Sequence, residues 1–267
     1  MGFLTIEHIA GPSTSAAPAV VLLHGLTQNR FCWGASAAQL GQFYSVWALD
    51  LPGHGSSGYA NATFTEAVEL VNETLAVLPF EADTVVGYSM GGRMALAAAL
   101  ERPDLADRLV LIGATAGLDD ETERQQRVAA DGALATRLRR DGPSAFLDYW
   151  LALPLFAGIA EDQQCRAERL EHWGSGVPES LELRGTGSMA PLWNDLATLA
   201  IPTLVIAGAD DVKFVQIGEE LVSSIGSSAR FQVIPGAGHA CHLSHAFAVT
   251  GVIRKADQPA ADRSPTQ

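Results

Sequence analysis

The chain has 267 residues, 48% of them hydrophobic and 18% charged, with a formal net charge of −13. That is enough apolar material for one large domain with its own core. The acidity, without any basic tract, argues against nucleic acid and anionic membrane as partners.

Continuous apolar runs mark strands covered on both faces. They fall at Ala19–Leu23, Ser45–Leu49, Thr84–Val86, Leu109–Ile112, Thr203–Ile206 and Phe231–Ile234. Helical patterns lie between several of them, at Phe64–Leu78, Met90–Leu100 and Phe214–Ile225. Thr63 or Thr65 is expected to cap the first of these helices, and Pro79 to end it. Alternation of this kind predicts an α/β fold with a parallel sheet. It stops between about 119 and 190, where the chain is helix-like and rich in arginine. That stretch reads as an inserted helical cap, leaving 1–118 and 191–255 as the core. The tail, 256–267, is polar, contains Pro259 and Pro265, and is expected to be disordered.

Three cysteines (Cys32, Cys165, Cys241) are too few and scattered for a disulfide frame or a zinc site. They read as small, wholly or partly buried side chains in a reducing compartment. The N-terminus has no cationic region followed by a long apolar stretch, and no run approaches the roughly 20 residues of a membrane span. The expected setting is the cytoplasm, and the expected state a monomer.

The pentapeptide Gly87-Tyr88-Ser89-Met90-Gly91 falls where a strand meets a helix. Gly-x-Ser-x-Gly in that setting is the nucleophile elbow of the α/β-hydrolase fold. The serine takes a strained backbone, and the glycines let strand and helix pass closely. Such a serine needs a base, and an acid to orient that base, in the chain order Ser, acid, His. After Thr203–Ile206 comes Gly208-Ala209-Asp210-Asp211, and the spacing Gly-x-x-Asp favours Asp211 over its neighbour Asp210. After Phe231–Ile234 comes Pro235-Gly236-Ala237-Gly238-His239, a flexible loop that brings His239 over the elbow. His242 and His245 read as surface or supporting residues.

Backbone N–H groups of Leu26 and Met90 are the expected oxyanion donors. His24 has a structural role, bonding to the loop after Leu23. Asp50-Leu51-Pro52-Gly53-His54-Gly55 reads as a turn built on proline and glycine. Arg93, four residues after Ser89, shares its helix face. A guanidinium there is costly unless paired, with a core carboxylate or with a substrate carboxylate.

Ser89-Met90-Gly91-Gly92-Arg93, Asp211-Val212-Lys213-Phe214 and Gly236-Ala237-Gly238-His239 together resemble 2-succinyl-6-hydroxy-2,4-cyclohexadiene-1-carboxylate synthases of menaquinone (vitamin K2) biosynthesis. So do Phe146-Leu147-Asp148-Tyr149-Trp150 with Pro154-Leu155-Phe156, and Gly185-Thr186-Gly187-Ser188 with Pro191-Leu192-Trp193. After His239 the chain departs from the family, which continues with an acidic residue and a proline.

The resemblance implies an α/β-hydrolase fold and a lyase that eliminates pyruvate from an enolpyruvyl cyclohexene substrate, with no metal or organic cofactor. Its partner would be a small polycarboxylate, held by Arg93, Arg127 and a third arginine. Arg169 is the choice for that third position and Arg166 the rival. Tyr88, Trp150 and Phe156 match aromatic pocket residues. The alternative is a serine hydrolase, either a carboxylesterase or a carbon–carbon bond hydrolase, and such an enzyme has no need of several pocket arginines. A non-catalytic receptor on this fold would not need the full Ser-His-Asp set.

Overall fold

A computed structural model describes residues 2–13 and 17–257 of the chain. Its strands are β1 (Ile6–Ala10), β2 (Ala19–Leu23), β3 (Ser45–Leu49), β4 (Thr84–Tyr88), β5 (Arg108–Ile112), β6 (Thr203–Gly208) and β7 (Ala229–Ile234). They form one sheet in the order β1-β3-β2-β4-β5-β6-β7. All neighbours pair in parallel except β1, which runs antiparallel to β3. The helices are α1 (Gly34–Leu40), α2 (Phe64–Ala76), α3 (Met90–Glu101), α4 (Glu121–Leu151), α5 (Arg166–Glu171), α6 (Val177–Arg184), α7 (Val212–Ile225), α8 (Cys241–Ser244) and α9 (Ala246–Asp257).

Side chains alternate across a strand, so each apolar run feeds two cores. Val21, Leu23, Val85, Leu109 and Leu111 pack on one face with Val68 and Val71 of α2, Leu96 of α3 and Leu221 of α7. Val20, Leu22, Val86, Val110 and Ile112 pack on the other with Leu40 of α1, Leu147 of α4, Leu181 of α6 and Ile253 of α9. Thr63 closes a capping box with Glu66 at the start of α2. That helix ends at Ala76, with Val77 as its C-cap, before Pro79 is reached. The proline therefore follows the stop and does not make it.

Two elements went unread in the sequence. β1 is a half-buried edge strand of mixed polarity, with a register shift between His8 and Ala10. α1 is built from Gly34-Ala35-Ser36-Ala37-Ala38-Gln39-Leu40, small residues that leave little periodic signal. Between β5 and β6 the described chain is helical and holds α4, α5 and α6. α4 is kinked at Gly142, where φ is +77°, just before Pro143. α9 runs through Asp257, two residues into the expected tail, and the remainder of that tail lies outside the described residues. No described helix is long and apolar enough to cross a membrane.

The Asp50 turn is more than proline and glycine. Asp50 is fully buried and takes an ion pair from Arg30 Nη1 and hydrogen bonds from the Arg30 and Ser56 N–H groups, each at 2.8 Å. Gly55 lies so close that a Cβ there would stand 2.1 Å from Asp50 Oδ2. Removing the carboxylate leaves a nearly buried guanidinium with only the half-exposed Glu7, at 2.8 Å, as counter-ion, and strands the Arg30 and Ser56 N–H groups. Asp50→Ala is therefore expected to cost about 3 kcal/mol of stability, a melting temperature lower by roughly 6–12 °C for a domain of this size, readable by calorimetry.

Candidate active site

The site lies where β2, β4, β5, β6 and β7 end at the carboxyl edge of the sheet, the usual place for chemistry in open α/β sheets. At the end of β4 the backbone of Ser89 takes φ +50° and ψ −108°. That is a strained conformation, worth about 1–3 kcal/mol, held by its surroundings. A Cβ on Gly87 would meet Gly91 O and Gly92 Cα at 2.6 Å, and one on Gly91 would meet Leu23 O at 2.2 Å. Strand, turn and helix are therefore in backbone contact, and the glycines are obligatory.

His239 Nε2 lies 3.1 Å from Ser89 Oγ, and its Nδ1 lies 2.7 Å from Asp211 Oδ2. A carboxylate only accepts, so Nδ1 carries the hydrogen and Nε2 offers its lone pair to the serine. Phe214 stands 4.5 Å, centroid to centroid, from the imidazole, and Tyr88 stands 5.4 Å from it. Asp210 is exposed and makes no bond to His239 among the described residues, and its N–H is bonded to Ala237 O. The geometry thus separates two adjacent acids that the sequence left as alternatives.

Met90 is the first residue of α3, where N–H groups have no helical partner. Leu26 sits in a turn closed by Gln28 N–H to Gly25 O and by Gly25 N–H to Gln28 Oε1. Among the described residues nothing accepts a hydrogen bond from either N–H, and both residues line the pocket beside Ser89. His24 holds this loop as expected. Its Nε2 accepts from Leu51 N–H at 3.0 Å and its Nδ1 faces Gly25 O at 2.8 Å.

A cavity of about 240 Å³ opens over Ser89. The sheet loops and the first turns of α3 and α7 supply one side of it, and the α4–α6 segment supplies the other, including Trp150, Phe156, Arg127 and Arg169. Trp150 and Phe156 meet at 5.6 Å and are largely buried, so they serve both the packing of that segment and the pocket wall. Tyr88 is buried beneath the cavity against His239 and His242.

Arg93 is 6% exposed and has no ion pair among the described residues. Its Nη2 donates to Arg184 O at 2.9 Å, and its Nη1 lies 3.3 Å from Met189 Sδ. Burial, then the nearby charge of Arg127, pushes its pKa down to about 9, with Asp131 opposing. It stays protonated at neutral pH. Of the two partners the sequence allowed, the core carboxylate is absent. Arg127 bonds the buried Asp131 through Nε alone, at 2.8 and 2.9 Å, and no bond occupies its two terminal nitrogens among the described residues. Burial raises the Asp131 pKa against the pull of Arg127 and Arg93.

Arg169 is fully buried, donating to Gln164 O at 3.0 Å and to Thr27 Oγ1. It reaches the cavity, whereas Arg166 turns to solvent and pairs with Asp148. His242 is not a surface residue. It is buried between Trp33 and Tyr88, with both ring nitrogens unpartnered.

Two cations of the pocket were missed. Arg184, fully buried, binds Ala60 O at 2.9 Å, Ala62 O and Ser180 Oγ at 2.6 Å, and burial lowers its pKa to about 10. Its signal was its place just before Gly185-Thr186-Gly187-Ser188. Lys213 also lines the cavity, and sits inside the Asp211-to-Phe214 motif.

The alpha/beta hydrolase family model matches residues 20–251. The chain belongs to that family, and within it to the 2-succinyl-6-hydroxy-2,4-cyclohexadiene-1-carboxylate synthases, as its relatives show. A protein of Serratia proteamaculans (strain 568) bearing that name is 33% identical over 242 residues, covering 89% of this chain and 92% of its own. A Bacillus subtilis (strain 168) protein, provisionally given the same name, is 34% identical over 245 residues and covers 88% of each chain. The solved structure of MenH from S. aureus superimposes with a TM-score of 0.85 at 28% identity, covering 96% of this chain and 98% of its own.

Asp211→Asn is expected to slow labelling of Ser89 by a fluorophosphonate by roughly 10³–10⁴, because the wrong His239 tautomer is favoured. Asp210→Asn should stay within about twofold. A second expectation concerns pH. Burial holds the pKa of His24 down at about 4, and those of His54 and His242 well below the ordinary value. Their folded pKa values lie below the unfolded ones. The stability they contribute is therefore complete above about pH 6.5 and is lost as pH falls below it. Urea unfolding between pH 7 and 4.5 should show that decline, and His242→Phe should make it shallower.

Proposed function

We propose that the chain is a lyase that eliminates pyruvate from 2-succinyl-5-enolpyruvyl-6-hydroxy-3-cyclohexene-1-carboxylate, giving 2-succinyl-6-hydroxy-2,4-cyclohexadiene-1-carboxylate. The observation that carries this reading is Arg93. It is a buried, protonated guanidinium one turn from Ser89, beside the cavity, bonded to a carbonyl and a thioether and to no carboxylate. A buried cation without a counter-ion is costly, and a ligand carboxylate removes that cost. Arg127, with its terminal nitrogens open, and Arg169 extend the same preference. A hydrolase of neutral esters gains nothing from them.

The chemistry follows from the substrate's bonds. The ring hydrogen at C2 is α to the succinyl ketone and is therefore acidic. Ser89, relieved of its proton by His239, takes it, while Asp211 holds the imidazole upright. The C2–H electrons form C2=C3, the C3=C4 pair moves to C4=C5, and the C5–O pair departs with the enolpyruvyl oxygen. Charge developing on the succinyl oxygen meets the N–H groups of Leu26 and Met90. The ring proton stays on Ser89 as its hydroxyl hydrogen, His239 gives the proton it took from Ser89 to solvent, and the released enolate takes one from solvent at its methylene to become pyruvate. In this reading Ser89 forms no acyl-enzyme.

Residues 119–190 act as the cap over 1–118 and 191–255. One chain supplies the whole Ser89, His239 and Asp211 set, so the chemistry asks for no second copy, and the acting unit in this reading is a monomer. Three free cysteines support a reducing, cytoplasmic setting.

Pyruvate release coupled to lactate dehydrogenase tests the reading. Efficient ester turnover with no pyruvate would make the chain a serine hydrolase instead. Arg93→Ala should lower kcat/KM for the enolpyruvyl substrate at least about tenfold more than for a neutral ester, a difference of roughly 1.4 kcal/mol in transition-state stabilisation. Equal losses on both would make Arg93 a structural residue.

A further inference from the structure

Lys213 is the second residue of α7 and lines the cavity next to Phe214 and His239. It is exposed, and among the described residues it has no ion pair and no hydrogen bond from its side chain. Its position is unfavourable for the fold. A cation in the first turn of a helix opposes the macrodipole, and the acid at that end of α7, Asp211 at the N-cap, is already bonded to His239. Lys213 comes to the cavity from a different element than the arginines: it lies two residues after Asp211 on α7, while Arg93 is on α3 and Arg127, Arg169 and Arg184 are on α4, α5 and α6.

The substrate divides its charge the same way. One carboxylate is on C1 and one ends the succinyl chain on C2, so both belong to the side of the ring that loses its proton. The third rides on the enolpyruvyl oxygen at C5, across the ring. Proton removal at C2 and departure at C5 are simultaneous demands, so the leaving carboxylate needs a cation separate from the one or ones holding C1 and C2.

We propose that Lys213 binds the carboxylate of the departing three-carbon 2-oxo acid. This deepens the lyase reading and rests on it. A single exposed ammonium suits a group that must leave. It offers one mobile point charge instead of a bidentate clamp, and solvent screens it. Lys213 donates no proton in the step. It lowers the energy of the anion as the C5–O bond breaks and lets pyruvate go.

Pyruvate is itself the probe. Its dissociation constant is measured by ligand-detected NMR on the wild-type protein and on Lys213→Met, Lys213→Arg and Lys213→Glu. Lys213→Met should weaken pyruvate at least about tenfold, Lys213→Glu should abolish binding, and Lys213→Arg should restore it to within about threefold of wild type. Melting curves of Lys213→Met and Lys213→Glu should match or slightly exceed that of the wild type, since the side chain is exposed and its charge opposes the helix dipole. No measurable pyruvate binding by the wild type, or an unchanged constant in Lys213→Met, overturns the assignment. If pyruvate binds through Lys213 but the enzyme releases none from the enolpyruvyl substrate, the lyase reading falls while the carboxylate site stands. If pyruvate is released and Lys213→Met binds it normally, only the assignment of Lys213 falls.

Discussion

Gly91 lies against the carbonyl oxygen of Leu23 with no space for one more carbon atom. That contact fixes the distance between α3 and the end of β2, and the rest of the site is measured from it. It brings the loop holding Leu26 beside the first turn of α3, and both Leu26 and Met90 line the cavity with N–H groups that no described residue accepts. It forces Ser89 into a backbone conformation that lifts Oγ out of the turn. His239 and Asp211 arrive on separate loops, yet both follow strands of the same sheet, and the sheet sets their spacing. The strain at Ser89 is borne by two packed cores, one on each face of the sheet.

The pocket's other constraint is electrostatic. Arg93, Arg169 and Arg184 are buried, and their hydrogen bonds go to carbonyls, a thioether and hydroxyls, not to carboxylates. Those partners orient a guanidinium without neutralising it. Asp131, bonded by Arg127, is the one acid among the cavity's lining residues, and burial weakens its negative form. Arg184 does two jobs in this arrangement. Its side chain ties α6 to the carbonyls of Ala60 and Ala62, and its own carbonyl receives Arg93. Arg93, the proposed anion-binding group, is thus positioned by a second cation that has no carboxylate partner among the described residues.

The features legible in the sequence share a cause: each is a local pattern with a backbone requirement. Buried strands read as unbroken apolar runs, and the elbow reads as glycines around a serine. His239 read from the strand and glycine loop before it. The misses share a cause as well. β1 is an edge strand half open to solvent, and α1 is made of small residues, so neither shows a strong period. The choice between Asp210 and Asp211, and between Arg166 and Arg169, depends on where a side chain points after the chain has folded. Arg184 was hidden for a related reason. An arginine at the end of a short helix looks like a solvated C-terminal cation until the α6 packing buries it.

A polyanion is an awkward ligand for an acidic protein, since the formal charge of −13 repels it. The two effects act over different distances. Surface carboxylates are screened within about 8 Å at physiological ionic strength, so their field on the cavity is weak. The buried arginines are not screened in the same way, because little solvent or salt reaches them, and each interaction there is stronger for the lower local polarity. The ligand therefore feels mild repulsion on approach and strong local attraction on arrival. The same field also serves the reaction. Removing the C2 proton adds negative charge to a molecule already carrying three carboxylates, and that step is prohibitive unless positive charge is already in place. A hydrolase acting on neutral esters develops a single oxyanion, for which two N–H groups suffice. The cluster of uncompensated cations is thus matched to an elimination from a polyanion.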